Sequence, residues 1–171
     1  ELKSIRSRLE CHYRLPSVPD HILVERRSPS SFDSKMELKK MTYKILISCR
    51  NCRIYSIDQS YIVDRKANPC KVHELVALSY SVVEMCWTGI EDRCSEVNKS
   101  TASRQTFIVA SSDRRLYCFC SLGGRCLWVI GTEQSITSIV CLPRLQIGSI
   151  ETSLVGLGSQ GNRIDFFTSS D

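Results

Sequence analysis

The chain has 171 residues, 42% hydrophobic and 24% charged, which is ordinary globular usage and excludes wholesale disorder. Eight Gly and five Pro exclude collagen-like and low-complexity chains. The net charge of +5 is mild and spread along the sequence, whereas nucleic-acid modules concentrate theirs on one face.

The length predicts about one domain, and no apolar run is long enough to span a membrane as a helix. Glu1–Arg8 has neither an initiator Met nor an apolar signal core, so the chain reads as the interior of a longer protein. Its ten cysteines are then expected to be reduced, small, buried thiols of a cytosolic protein.

Strand signals dominate in chain order. Short β-branched, aromatic and aliphatic runs predict strands at His21–Glu25, Tyr43–Ser48, Arg53–Ile57, Tyr61–Val63, Leu75–Tyr80 and Thr106–Ala110. Further strands are expected at Arg115–Phe119, Cys126–Ile130, Ile136–Leu142, Ser153–Leu157 and Arg163–Phe167. The one helical candidate is Ser34–Lys40, where Ser34 and Glu37 have capping-box spacing. The expected fold class is all-β.

The chain also matches itself. Ile45–Ile57 (ILISCRNCRIYSI) aligns without a gap on Phe107–Phe119 (FIVASSDRRLYCF) and on Val155–Phe167 (VGLGSQGNRIDFF). Each copy is an apolar strand, small residues, a polar turn, then Arg-apolar-x-x-apolar. The turn positions Asn51, Asp113 and Gly161 are ones where positive φ is tolerated. The offsets are 62 and 48 residues, and the longer contains a polar insertion, Gly89–Arg104. Without it both periods match a propeller blade of about 40–50 residues.

That frame predicts part of a WD40-like β-propeller with two complete four-stranded blades and two partial ones. Residues 1–15 end one blade, 20–66 and 71–131 form full blades, and 135–168 begin a fourth. Trp128 is expected on an outer strand, packed between adjacent blades. Such an arc has two unpaired edges and is not expected to be a self-sufficient domain.

No motif carries chemistry. Cys49-x-x-Cys52 has no second pair, and His12, His21 and His73 are scattered, so no metal site is expected. The letters of GxGxxG at Gly156, Gly158 and Gly161 fall in a strand and turn with no helix after them, which removes the phosphate-binding physics. Asn98-Lys99-Ser100 and Arg26-Arg27-Ser28-Pro29-Ser30 read as solvated loop. Lys35, Lys39, Lys40 and Lys44 read as a solvated basic face, or one turned to anionic lipid or an acidic partner. The recurrent Arg53, Arg115 and Arg163 suit blade stapling. The chain is expected to be no enzyme and to need no cofactor.

Leu15-Pro16-Ser17-Val18-Pro19, Ile47–Tyr55 and Leu122–Trp128, taken in order, resemble the N-terminal β-propeller of the Bardet–Biedl syndrome 1 family. The resemblance runs from about Leu9 to Phe167, with Cys52 standing where the family's turn carries Gly. It implies the late blades of a seven-bladed propeller, and a subunit of the BBSome, the coat-like complex that moves membrane proteins into and out of cilia. Localisation to cilium, basal body and cytoplasm follows, peripheral to the membrane. It also implies that the propeller docks a GTP-loaded Arf-like small GTPase, alongside other BBSome subunits, through its first and last blades. The candidate contacts are the last-blade turn residues Arg144, Gln146, Gln160, Asn162 and Arg163. Recognition would be conformational, since GTPase switch segments order only around the γ-phosphate.

A WD40-like scaffold of another trafficking or ubiquitin-ligase complex is the second reading. A quinone-dependent dehydrogenase propeller is the third. The missing secretory signal, missing calcium-ligand carboxylate clusters and missing second Trp at the Trp128 position count against it.

Overall fold

The computed structural model describes residues 14–27, 41–61, 72–91, 105–147, 150–161 and 163–169, and among these there are strands and turns but no helix. The strands form three antiparallel sheets in chain order. The first contains β1 (Pro19–Arg27), β2 (Met41–Cys49), β3 (Arg53–Tyr61) and β4 (Val72–Ala77). The second contains β5 (Val82–Glu91), β6 (Gln105–Ser111), β7 (Arg115–Cys120) and β8 (Cys126–Gly131). The third has β9 (Ile136–Ile147), β10 (Ile150–Ser159) and β11 (Arg163–Ser169), with β11 and β9 at its edges.

The three self-matching segments fold as hairpins of one register. Ile45 pairs with Ile57, Phe107 with Phe119 and Val155 with Phe167, so the ends of each copy lie opposite one another. Cys49–Arg53, Ser111–Arg115 and Ser159–Arg163 close the three turns. Backbone bonds repeat too. The N–H of Arg50, Ser112 and Gln160 donates to the carbonyl of Val18, Ser81 and Ser135, each just ahead of its sheet's first strand, at 2.9–3.0 Å.

Alternation along each strand leaves two apolar faces per sheet. Leu46, Ile54 and Val76 of the first sheet pack on Val82, Met85, Phe107, Val109 and Phe119 of the second. Ile108, Ala110, Leu116 and Cys118, on the other face of the second sheet, pack on Ile136, Ile139, Val155 and Leu157 of the third. Trp128 on β8 is partly buried against this second cluster. The leading strands adjoin, β5 lying against both β1 and β9. A further contact joins the first two sheets at Gly124, where φ is +66° and a Cβ would lie 2.1 Å from the Leu75 carbonyl oxygen. Only glycine fits there.

Several expectations change. Val72–Ala77 hydrogen-bonds to β3 and completes the first sheet, so the 20–66 and 71–131 divisions give this strand to the wrong unit. The leading strand of the second sheet is instead β5, absent from the expected strands. Polar Glu84 and the kink at Gly89 (φ +74°) interrupt its alternation. β5 also runs through Gly89–Glu91, with its register shifted after Trp87, so the insertion does not begin at Gly89. Positive φ falls on Cys52 (60°) and Arg114 (63°), one residue beyond Asn51 and Asp113, while Gly161 has 103° as expected. Lys44 is no part of a solvated face. It shares a face of β2 with Leu46 and Ser48, is 4% exposed, and donates from Nζ to the Ser121 carbonyl of the second sheet at 2.5 Å. The expected helix Ser34–Lys40, residues 1–13, Val63, Ser28–Ser30 and Asn98–Ser100 lie outside the described residues.

A candidate interaction cleft between the second and third sheets

Two of the three hairpins carry a matched pair that the third lacks. Asn51 Nδ2 donates to the Tyr55 hydroxyl at 3.0 Å, and the Tyr117 hydroxyl donates to Asp113 Oδ2 at 2.8 Å. Both pairs join the turn residue to a tyrosine four positions on. In the third hairpin the same positions hold Gly161 and Asp165, so both partners of the pair are gone.

Space opens where the tyrosine is missing. Tyr117 packs into the cluster between the first and second sheets. Asp165, at the equivalent place between the second and third, lines a cleft of about 320 Å³. Leu116, Ile130, Ile136, Leu157 and Phe167 give it an apolar floor, while Glu133, Gln134, Arg163 and Asp165 supply its polar wall.

The wall is cross-braced. Arg163 Nε donates to Asp165 Oδ1 at 2.7 Å, and its Nη1 lies 3.8 Å from Glu133 Oε2. Ser159 Oγ donates to Gln134 Oε1 at 3.3 Å, and Thr132 Oγ1 donates to the Arg114 carbonyl at 3.0 Å. Arg163 thus links β11 to the loop after β8. Its counterparts act more locally: Arg53 pairs with Glu74 on the adjacent β4, and Arg115 with Asp113 of its own turn at 3.7 Å. Among the described contacts, one of the three arginines therefore reaches the linker between two sheets, through an exposed ion pair.

The five candidate contacts do not gather. Gln160 is exposed in the β10–β11 turn and Arg163 starts β11, both at the cleft end of the third sheet. Arg144 and Gln146 lie in β9 rather than in a turn, because Pro143 is absorbed in a register shift of this edge strand instead of ending it. Gln146 pairs with Glu151, eight residues along β10 from Ser159, which places it about 25 Å from the cleft end. Asn162 lies outside the described residues. Glu133, Gln134 and Asp165 were not anticipated as site residues. The signal for Asp165 was present in the aligned copies, as the one acid where the other two have tyrosine.

The titratable groups near the turns are few. Burial, then the hydrogen bond to Asp113, raises the Tyr117 hydroxyl above its ordinary value, with Arg115 opposing. Burial, then the negative charge of Asp20, raises the Cys49 thiol. Among the described residues, no three His, Cys, Asp or Glu side chains are placed to hold a metal ion. The cleft can therefore be described as a recess for an apolar side chain with flanking polar groups. No family model matches the chain, and comparisons with curated proteins and with solved structures return no match.

Proposed function

We propose that the three sheets are consecutive blades of an incomplete β-propeller acting as a non-catalytic docking platform. One observation carries the architectural part. Ile54 and Leu116 hold equivalent hairpin positions and are each 0% exposed, covered by the next sheet, while Ile164 at the same position of the third sheet is 67% exposed. The face of Ile164 and Phe166 has the pattern of one that a further sheet covers. The adjoining leading strands β1, β5 and β9 support radial repetition about a common axis.

The partner is proposed from the sequence resemblance to the Bardet–Biedl syndrome 1 propeller. On that reading the platform belongs to the BBSome and docks a GTP-loaded Arf-like small GTPase for ciliary membrane-protein transport. The cleft end of the third sheet, with Gln160, Arg163 and the unanticipated Glu133 and Asp165, is the surface assigned to that contact. Binding needs no reacting group, only a few anchors on a rigid rim.

The test is a pull-down of the full-length parent with GTP- and GDP-loaded GTPase. Retention of the GTP form, lost on Arg163→Glu with folding intact, supports the assignment. Equal retention of both nucleotide forms, or none, overturns it. The present chain, whose third sheet is covered on its outer face by no described sheet, is expected to bind poorly or not at all.

A further inference from the structure

Three thiols converge where the second sheet meets the third, and the proposed docking role uses none of them. Cys86 projects from β5 and Cys141 from β9, two strands packed on each other. Cys141 Sγ donates to the carbonyl of Thr88, two residues along β5 from Cys86, at 3.7 Å, and both cysteines pack against the same apolar cluster. Cys118 on β7 is a buried member of that cluster. Cys86 and Cys141 are partly exposed whereas Cys118 is buried, so the first two are the ones a solute reaches.

Sheet geometry decides which two can bond. Cys86 pairs with Ile108, and Ile108 pairs with Cys118, so these cysteines stand two strands apart in one row. Two strand spacings are about 9.6 Å, beyond the roughly 7 Å between Cα atoms that a disulfide tolerates. Cys141 comes from the opposing sheet, with its sulfur against the backbone of β5 two residues from Cys86.

We propose that Cys86 and Cys141 form a redox site at which a small-molecule disulfide is reduced as the two thiols join, bonding the second sheet to the third. One cysteine, as thiolate, attacks a sulfur of the small disulfide and expels one small thiolate, leaving a mixed disulfide. The second cysteine then attacks the protein sulfur of that mixed disulfide and expels the other small thiolate. The S–S bond of the reagent breaks and the Cys86–Cys141 bond forms. The two protons released by the cysteines are taken up by the two thiolates expelled, so atoms and electrons balance.

The neighbouring Cys141 thiol, then burial, raises the Cys86 thiol, which makes the exchange slow compared with that at exposed Cys126. The bond would close a 55-residue loop and fix the orientation of adjacent sheets. A chain that bonds in this way would hold the wall of the cleft in one position under oxidising conditions and release it under reducing ones.

The test uses the whole chain incubated with oxidised glutathione, quenched by alkylation, digested and mapped by mass spectrometry. The expected result is one peptide pair joined through Cys86 and Cys141, with a rise in Tm of about 5–10 °C that dithiothreitol reverses. Cys141→Ser should abolish the crosslink and leave glutathione on Cys86. Because the wild-type map needs no variant, a misfolded Cys141→Ser does not blunt the test. Free, alkylated Cys86 and Cys141 beside fully glutathionylated Cys126 would overturn the proposal, as would a bond from Cys86 to Cys118.

Discussion

The Tyr117 hydroxyl donates to Asp113 Oδ2 at 2.8 Å, tying a strand to the turn that precedes it. The same tie recurs between Asn51 and Tyr55, so it belongs to the repeat and not to one site. Tyr117→Phe removes the donor and leaves a largely buried carboxylate short of a partner. The expected loss is about 1–2 kcal/mol in urea unfolding. The pH dependence has a definite sign. A tyrosine whose folded pKa is raised contributes stability below its unfolded value near 10, and loses it as pH climbs through the folded value. The wild type should therefore weaken more steeply above pH 10 than Tyr117→Phe. Parallel stability curves for the two proteins between pH 9 and 11.5 would refute the linkage.

The hairpins were legible because strand, turn and strand lie within 13 consecutive residues, and the copies could be laid on one another. What the sequence hid was partnership between distant strands. Leu75–Tyr80 reads as a strand, overlapping β4 only at Leu75–Ala77, and nothing local says whether β3 or β5 receives it. With β5 masked by Glu84 and Gly89, the wrong neighbour was the natural choice. Lys44 misled for the same reason, since a lysine's residue type says surface and only the second sheet makes its position interior. The cleft is an inter-sheet property as well. The Asp165 substitution was visible, and the void that it leaves was not.

Cys52 adopts φ 60°, a left-handed backbone that costs an L-residue about 1 kcal/mol and glycine almost nothing. Glycine's extra freedom in the unfolded chain returns part of that gain. Cys52→Gly should thus raise stability by about 0.5 kcal/mol, while Cys52→Val, branched at Cβ, should lower it by about 1–2 kcal/mol. Paired urea titrations check both signs. A stabilising valine would contradict the backbone assignment.

Lys44 joins the first sheet to the second through the Ser121 carbonyl. Lys44→Met keeps the aliphatic stem and deletes the ammonium, so it reads the polar contact apart from packing. The expected cost is about 1–2 kcal/mol. Unchanged unfolding on this substitution would mean that the stem alone carries the contact.

Asp165 stands where the other hairpins have tyrosine, beside a cleft of about 320 Å³. Asp165→Tyr would trade an exposed ion pair with Arg163, worth under about 1 kcal/mol, for a ring in that cleft. Filling of this kind commonly adds about 0.5–2 kcal/mol. A net gain of about 1 kcal/mol is expected with Gly161 kept, because its φ of +103° and the Gln134 side chain 2.9 Å from where a Cβ would lie disfavour any side chain there. If the single variant is destabilised, the cleft wall is too rigid for the ring and the repeat was not what emptied it.

Ile164, Phe166, Val140 and Leu142 are exposed together on the outer face of the third sheet, beside an edge of β11 that no described strand pairs. A contiguous apolar face next to a free strand edge favours association with whatever sheet is at hand, and in a solution of this chain alone that is another copy. Self-association at micromolar concentration is the expected behaviour in sedimentation. Ile164→Lys with Phe166→Lys should return the chain to monomer. The fold itself should lose less than about 1 kcal/mol, because neither side chain is buried by the described sheets. On the propeller reading, in a longer chain that carries the next blade the same pair should cost several times more, since there a further sheet would have to bury both ammonium groups. Equal cost in the short chain and the longer one would mean that nothing covers this face, and the propeller assignment would fall with it.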